Sequence, residues 1–256
     1  MTNKILIIED NESYRKAAED FFRDKDVEIV YAKDSDEAAA SLESNPGYNG
    51  AIVDCFFPKK TGSEDRELGI SMIEKMANED PNFRKYDDVL EEFGKYVELD
   101  SELRTYIQSW AKSAQRYDLD KNPTLRAIAR CSTVLGKAGA AHILKNTLGA
   151  MHKINSLDDK GSRDYYAALE KAVQEDERNQ PLGIYIAETL EGIGVPFVLA
   201  TSTYHHDILT QPICNYAGKR RWQVIDCYQG KEDEKATPEF WESVYSALNR
   251  EMEDRR

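Results

Sequence analysis

Residues 51–58 read Ala-Ile-Val-Asp-Cys-Phe-Phe-Pro, and this stretch decides the fold. A short apolar run ends in the carboxylate of Asp54, and Pro58 stops any continuation of the element. An apolar run of this length before a breaker predicts a buried parallel strand. In open α/β sheets, ligands bind outside the carboxyl ends of the strands. We therefore expect Asp54 to lie at the functional edge of a sheet.

The segments before this strand alternate between strand and helix patterns. Apolar runs at residues 4–8 and 27–31 predict two strands. The spacing of apolar residues predicts an amphipathic helix over residues 13–24, and Ser35 is a suitable N-cap for a second helix that ends near residue 43. The order β-α-β-α-β predicts a doubly wound parallel sheet with right-handed crossovers.

The same alternation returns near the end of the chain. It predicts these elements in order: a helix over 181–191, a strand over 195–200, a helix over 207–217, a strand over 222–227 and a last helix capped by Thr237. Residues 59–68 form a polar loop, and every periodic stretch from about 70 to 178 is typical of helix. We expect a flavodoxin-like α/β domain with sheet order 2-1-3-4-5, formed by residues 1–58 and 181–256. An all-helical insertion, residues 59–180, interrupts it.

The composition limits the class of protein. A formal net charge of −13 argues against general binding to nucleic acid or to a membrane surface. No apolar run reaches the roughly 20 residues that span a bilayer, and the first residues do not have the pattern of a secretory leader. Four scattered cysteines fit reduced thiols better than disulfides or a zinc site. We expect a cytoplasmic protein.

Polar side chains follow three strands that adjoin one another in this sheet order. Glu9 and Asp10 follow the first strand, Asp54 ends the third, and Thr201 and Ser202 follow the fourth. Carboxylates brought together at one edge repel strongly unless a cation lies among them. Hard oxygen ligands that leave room for water suit Mg²⁺. The sequence therefore predicts a magnesium site at this edge.

These motifs resemble those of the receiver domain of two-component response regulators. The resemblance covers roughly residues 1–58 and 181–250, and its motifs are Ile-Ile-Glu-Asp at 7–10, Val-Asp-Cys-Phe-Phe-Pro at 53–58 and Val-Leu-Ala-Thr-Ser at 198–202. It implies that Asp54 accepts a phosphoryl group and that Glu9, Asp10, Asp54 and the carbonyl oxygen of Phe56 hold Mg²⁺. It also implies that Thr201 senses the phosphoryl group. The partners that it implies are a histidine kinase or phosphotransfer protein and a downstream protein.

Some residues depart from the receiver pattern. The lysine that receivers carry directly after strand 5 is missing, and Lys231 and Lys235, further along, are the two alternatives that could bring a cation to the phosphoryl group. His205 and His206 follow strand 4, and we expect at most one of them to join the site. The glycine that opens the third helix of receivers is matched best by Gly183, which places the insertion between strand 3 and that helix.

The predicted insertion contains a second chemical feature. Residues 140–149 read Ala-Ala-His-Ile-Leu-Lys-Asn-Thr-Leu-Gly, which is similar to the pattern around the phosphorylated histidine of phosphotransfer helices. On a helix, His142 shares a face with Lys145 and Asn146. Ile143 stands where the kinase form has an acid. The surrounding residues 121–153 hold six Lys or Arg and no acid, which favours a basic helix against an acidic surface.

We expect a phosphoacceptor in signalling rather than an enzyme, with its output through the insertion or through protein contacts. Three alternatives stay open. The first is a degenerate receiver that binds proteins without accepting phosphate, and the second is a phosphorelay protein that uses both His142 and Asp54. The third is a Mg²⁺-dependent phosphatase. Phe56 argues against the phosphatase, because the common pattern has a second aspartate at that position.

Overall fold

The computed structural model describes residues 2–44, 47–80, 162–228 and 232–254. Within these ranges the chain forms five strands and seven α-helices. In chain order they are β1 (Asn3–Ile8), α1 (Glu12–Phe22), β2 (Val27–Ala32), α2 (Ser35–Ser44), β3 (Gly50–Asp54), α3 (Glu67–Glu79), α4 (Ser162–Glu175), α5 (Leu182–Gly192), β4 (Phe197–Ala200), α6 (Thr210–Arg220), β5 (Val224–Ile225) and α7 (Pro238–Asp254). Two short 3-10 turns, Glu177–Asn179 and Glu232–Ala236, precede α5 and α7.

The five strands form one parallel sheet with the order β2-β1-β3-β4-β5. This confirms the predicted flavodoxin-like α/β fold. β3 lies between β1 and β4, and the register pairs Ile8 with Val53 and Asp54 with Ala200. The residues that follow β1 and β4 are thus brought level with the end of β3. Glu9, Asp54 and Thr201 therefore lie at the switch point of the sheet, where the order of the strands reverses.

A continuous apolar core covers one face of the sheet. Alternate residues of β1, β3 and β4 pack against α1 and α7, where Phe22, Trp241 and Leu248 are buried. Because neighbouring residues of a strand point to opposite faces, the remaining apolar strand residues are directed to the other side. There α5 lies against β3 and β4 and contacts α2 and α3. Helices on both faces leave the carboxyl edge of the sheet as the open end.

Several element boundaries differ by a few residues from the sequence prediction, and two of the differences have a clear local cause. Asp34, not Ser35, caps α2, because its Oδ1 accepts the N–H of Glu37 at 2.9 Å. Its Oδ2 also accepts the N–H and hydroxyl of Thr61, each at 2.9 Å, so the same carboxylate fixes the loop after β3. β5 is shorter than predicted because Trp222 belongs to the turn that closes α6, where its N–H donates to the carbonyl of Ala217 at 3.0 Å.

The cap predicted for the last helix is confirmed. The hydroxyl of Thr237 accepts the N–H of Phe240, and Pro238 is the first residue of α7. Among the described helices, none combines the length and the apolar character that crossing a bilayer requires.

The sheet belongs to a compact unit that spans Met1–Asp80 and Asp164–Arg256. Within this unit α3 packs against α5 and α6. The predicted limits of the insertion, 59–180, stay a prediction. Residues 81–161, with His142 and its basic surroundings, lie outside the described residues.

The buried side chain of Gln180 joins the loops around α3 and α5. Its Oε1 accepts the N–H of Gly69 at 3.2 Å, and its Nε2 donates to the carbonyls of Asp65 and Glu177, each at 3.1 Å. Its own carbonyl accepts the N–H of Phe57 at 3.2 Å. One residue therefore fixes the segment after β3, the start of α3 and the turn before α5 relative to one another.

Candidate functional site

Three carboxylates meet at the carboxyl edge of the sheet. Glu9 and Asp10 follow β1, Asp54 ends β3, and each offers an oxygen within 4.8 Å of the others. Glu9 and Asp54 are buried, with 1% and 7% of their surface exposed, and Asp10 is half-buried. This convergence was predicted from the positions of these residues after neighbouring strands. It places a buried acidic cluster at the switch point of the sheet.

Lys235 lies inside this cluster. Its Nζ is 2.5 Å from Asp54 Oδ1 and 2.6 Å from Glu9 Oε2, and it donates to the carbonyl of Ala200 at 3.1 Å. Only 1% of its surface is exposed. The carbonyl of Lys235 accepts the indole N–H of the core residue Trp241 at 2.8 Å, which fixes the backbone from which the ammonium extends.

The position of Lys235 answers one question that the sequence left open. It comes from the 3-10 turn before α7, well beyond the end of β5, yet its ammonium reaches the end of β3. The other alternative, Lys231, lies outside the described residues, as does His142. The structure places Lys235 at Asp54, and the role of Lys231 stays a prediction.

The burial of the cluster changes its protonation. Burial raises the pKa of Glu9 to about 8, with the charge of Asp54 adding to the shift and that of Lys235 opposing it. Burial and the charge of Asp54 raise the pKa of Asp10 to about 6. Burial alone would lower the pKa of Lys235, but the charges of Asp54 and Glu9 outweigh it and raise that pKa above its ordinary value. Lys235 therefore stays protonated. Its single positive charge cannot balance the three carboxylates when all of them are ionised.

The residues present fit a small divalent cation. The donor set consists of hard carboxylate oxygens, which Mg²⁺ prefers. Glu9 Oε2 is buried and lies 2.6 Å from the ammonium of Lys235, and Glu9 Oε1 accepts the N–H of Asn11 at 3.1 Å. Because a carboxylate oxygen has two lone pairs, these contacts leave further lone pairs for a metal. Glu9, Asp10 and Asp54 are therefore a candidate metal-binding triad.

The backbone after Asp54 shapes the floor of the site. Asp54 Oδ2 accepts the N–H of Phe56 at a long 3.3 Å, and the carbonyl of Cys55 accepts the N–H of Gly183 at 3.2 Å. Phe56, whose carbonyl was predicted as a metal ligand, lines the depression above the cluster. Asp54 Oδ2 is the more weakly held of its two carboxylate oxygens.

The hydroxyls after β4 lie beside the acidic cluster, and the role of Thr201 as the residue that senses a phosphoryl group stays a prediction. Thr201 is 1% exposed, and its Oγ1 lies 2.8 Å from Oγ1 of Thr203. Ser202 and Thr203 line the depression above the acids. The hydroxyls of Thr201, Thr203 and Thr210 form a short hydrogen-bonded chain. Thr201 thus lies next to the site in a bonded, buried position.

A depression of about 480 Å³ opens above the acidic cluster. Tyr14, from α1, lies on its wall with its ring 5.5 Å from Lys235 Nζ. The 3-10 turn before α5 also lines the depression, through Arg178, Asn179 and the N-cap residue Asp176. Sequence reasoning missed these three residues, because no motif marks them and only the folded path of the chain brings them to the sheet edge.

The two histidines after β4 lie apart from this lining. His205 Nδ1 is 2.8 Å from Asp226 Oδ2, and its backbone N–H donates to the same oxygen at 2.7 Å. His206 is exposed. Within the described residues, neither histidine lines the depression over Asp54.

Comparison of the chain with protein-family models, with curated proteins and with solved structures gives no match. The chain has a flavodoxin-like, receiver-like α/β fold with a buried acidic cluster at the carboxyl edge of its sheet.

The metal-free protein should lose stability as the pH rises from about 5 to about 8. The pKa values of Glu9 and Asp10 in the folded protein, about 8 and about 6, lie above their ordinary values of 4.5 and 3.8. In this range the folded state binds more protons than the unfolded state, so the free energy of unfolding falls as the pH rises, by at least about 2 kcal/mol in all. Urea unfolding in the presence of a chelator measures this slope.

The control for this pH dependence is Glu9→Gln, which removes the group with the larger shift and should flatten most of the slope. A stability that is constant or rises over the same range in the wild-type protein would show that the buried acids are not protonated in the folded state.

Proposed function

We propose that this protein is a receiver-like signalling protein that binds Mg²⁺ and accepts a phosphoryl group on Asp54. The observation that carries the proposal is the position of Lys235, buried between Asp54 and Glu9 at the switch point of the sheet. A structural acid at the end of a strand needs no buried lysine and no second and third carboxylate. A carboxylate that must take up a phosphoryl group needs cations fixed around it.

Glu9, Asp10 and Asp54, with the carbonyl of Phe56, are the residues that would hold the metal. Bound there, Mg²⁺ would neutralise charge on the phosphoryl oxygens. Lys235 fixes Asp54 Oδ1 and offers a second positive charge from the opposite, buried side. Asp54 Oδ2, held only by the long bond from Phe56, is the oxygen that we assign as the nucleophile.

The transfer is an in-line substitution at phosphorus. Asp54 Oδ2 forms a bond to the phosphorus of the donor while the bond from phosphorus to the leaving group breaks, and the electron pair of that bond stays on the leaving group. With acetyl phosphate the leaving group is acetate, and with a phosphohistidine donor it is the imidazole. The product is an acyl phosphate on Asp54. A histidine kinase or a phosphotransfer protein is the donor that this chemistry suits.

Intact mass after incubation with Mg²⁺ and acetyl phosphate tests the proposal. The wild-type protein should gain one phosphate, which a chelator abolishes and which Asp54→Ala does not gain. His142→Ala is the matched control, and it should gain phosphate as the wild type does. If neither the wild type nor any variant gains phosphate, the protein is not a phosphoacceptor, and the alternative of a protein-binding module without phosphorylation takes its place.

The alternative of a relay between His142 and Asp54 is tested by transfer of phosphate between the two residues. A phosphoryl group that moves between His142 and Asp54 in the wild-type protein, and that does not move when either residue is replaced by alanine, would favour that alternative.

A further inference from the structure

Arg178 lies on the rim of the depression above Asp54, on the 3-10 turn Glu177–Asn179. Its guanidinium makes a forked contact with Asp176, with Nε 3.1 Å from both carboxylate oxygens and a terminal nitrogen 2.6 Å from Oδ2. Its side chain is 68% exposed. Among the described residues that line the depression, Arg178 is the basic one, and the other charged residues there are acids.

The ion pair between Arg178 and Asp176 costs little free energy to break, so Arg178 can change its partner. Exposed ion pairs contribute little net stability, because both partners are well solvated when apart. The Arg178 backbone N–H also donates to Asp176 Oδ1 at 2.9 Å, so Asp176 keeps a role as cap of the turn when the guanidinium leaves. The arginine can therefore move without unfolding the turn that carries it.

A phosphoryl group on Asp54 would change the balance of charge in the depression. It adds negative charge and three acceptor oxygens at the base of an already acidic site. The guanidinium fork matches phosphate geometry in two parallel hydrogen bonds. Arg178 lines the same depression as Asp10 and Asp54, so a phosphoryl group on Asp54 would enter the space beside which Arg178 lies.

We propose that Arg178 is a phosphoryl-binding residue, which releases the Asp176 carboxylate and binds the oxygens of the group carried by Asp54 from the side opposite Lys235. This inference rests on the proposed function. It assigns to the segment before α5 a cation that the sequence resemblance does not supply.

The turn that carries Arg178, and the residue after it, are joined by hydrogen bonds to two helices of the protein. Asn179 donates from Nδ2 to the carbonyl of Ala172 in α4 at 3.1 Å, and Gln180 binds Gly69 at the start of α3. These two helices flank residues 81–161 in the chain. A movement of Arg178 toward Asp54 thus acts on the two helices that flank residues 81–161 in the chain.

Beryllofluoride, a mimic of the phosphoryl group, tests the inference on the full chain in the presence of Mg²⁺. Calorimetry should show that Arg178→Gln weakens its binding about ten-fold or more, because charge-assisted hydrogen bonds to the anion are lost, and that Arg178→Lys is intermediate. Lys171→Gln is the matched control, since Lys171 is an exposed cation of α4 paired with Glu175 at 3.6 Å and outside the depression. It should bind as the wild type does.

Two further readouts separate binding from a structural role. The thermal midpoint of Arg178→Gln without beryllofluoride should equal that of the wild type, and hydrogen exchange over residues 176–180 should respond to beryllofluoride in the wild type but not in Arg178→Gln. Equal affinity of the wild type and Arg178→Gln would overturn the role of Arg178 alone. Absence of binding to the wild type would overturn the proposed function, and the inference with it.

Discussion

Replacement of Lys235 by methionine is expected to lower the free energy of unfolding of the metal-free protein by about 3–5 kcal/mol at about pH 8, because removal of one partner leaves buried charges without compensation. Lys235 is 1% exposed and contacts the carboxylates of both Asp54 and Glu9. Methionine fills most of the same space, so the loss reports charge rather than packing. Urea unfolding with a chelator present measures it.

Two further measurements on Lys235→Met test whether the loss of stability comes from the charges of the acids. At about pH 5 the cost should be smaller, since the pKa of Glu9 is already raised to about 8 and its carboxyl is protonated there. Added Mg²⁺ should restore part of the stability of Lys235→Met by placing a cation among the same acids.

The matched control is Lys75→Met, which removes a lysine from a partly exposed pair with Glu188 at 2.7 Å. It should cost less than about 1 kcal/mol. If Lys235→Met were as mild as Lys75→Met at about pH 8, the buried ion cluster would not exist as described, and the argument for a phosphoacceptor would lose its main support.

Replacement of Gly183 by alanine is expected to destabilise the fold by about 2–3 kcal/mol or more, through overpacking against backbone. A Cβ at this position would lie 2.2 Å from the carbonyl oxygen of Asp54 and 2.8 Å from Cα of Cys55. Backbone atoms cannot turn aside as a flexible side chain does, so α5 must move away from β3. That movement would also disturb Asp54, and the variant should bind Mg²⁺ more weakly than the wild type.

Gly192 provides the control for this prediction, because it lies at the other end of α5 with open space around its Cα. Gly192→Ala should leave stability unchanged or raise it by up to about 1 kcal/mol, as expected from the helix propensity of alanine. Thermal or urea unfolding of the two variants side by side separates close packing at the site from helix propensity. Equal stabilities would contradict the close approach of α5 to Asp54.

The fold could be predicted from the sequence because its signals are local. The apolar runs of β1 and β3 end in acids, and the alternation of strands with amphipathic helices leaves few topologies. The errors have local causes as well. Asp34 and Ser35 both have side chains that cap helices, and only the folded loop, which brings Thr61 to Asp34, shows which one does so.

The part of the site that could be predicted from the sequence is the part that lies at the ends of strands. Glu9, Asp10 and Asp54 converge because neighbouring parallel strands end at one edge. From the sequence, the lysine of the site could be assigned only to Lys231 or Lys235, because the periodicity of apolar residues does not predict the path of the loop after β5. No sequence pattern indicated Arg178, because its position beside the acidic cluster depends on the path of the chain after α4.

The remaining predictions depend on residues that the structure leaves outside its described ranges. The role of His142 and the basic character of residues 121–153 still rest on the sequence. The proposed phosphoryl transfer to Asp54 does not depend on them.

The most direct measurement is the identity of the residue that carries the phosphoryl group. Borohydride reduces an aspartyl phosphate to homoserine, which peptide mapping by mass spectrometry locates in the chain. After treatment with Mg²⁺ and acetyl phosphate, we expect homoserine at position 54 in the wild type and at no acid in a sample treated without Mg²⁺. Homoserine at another acid, or none at position 54, would contradict the assignment of Asp54 as the phosphoacceptor.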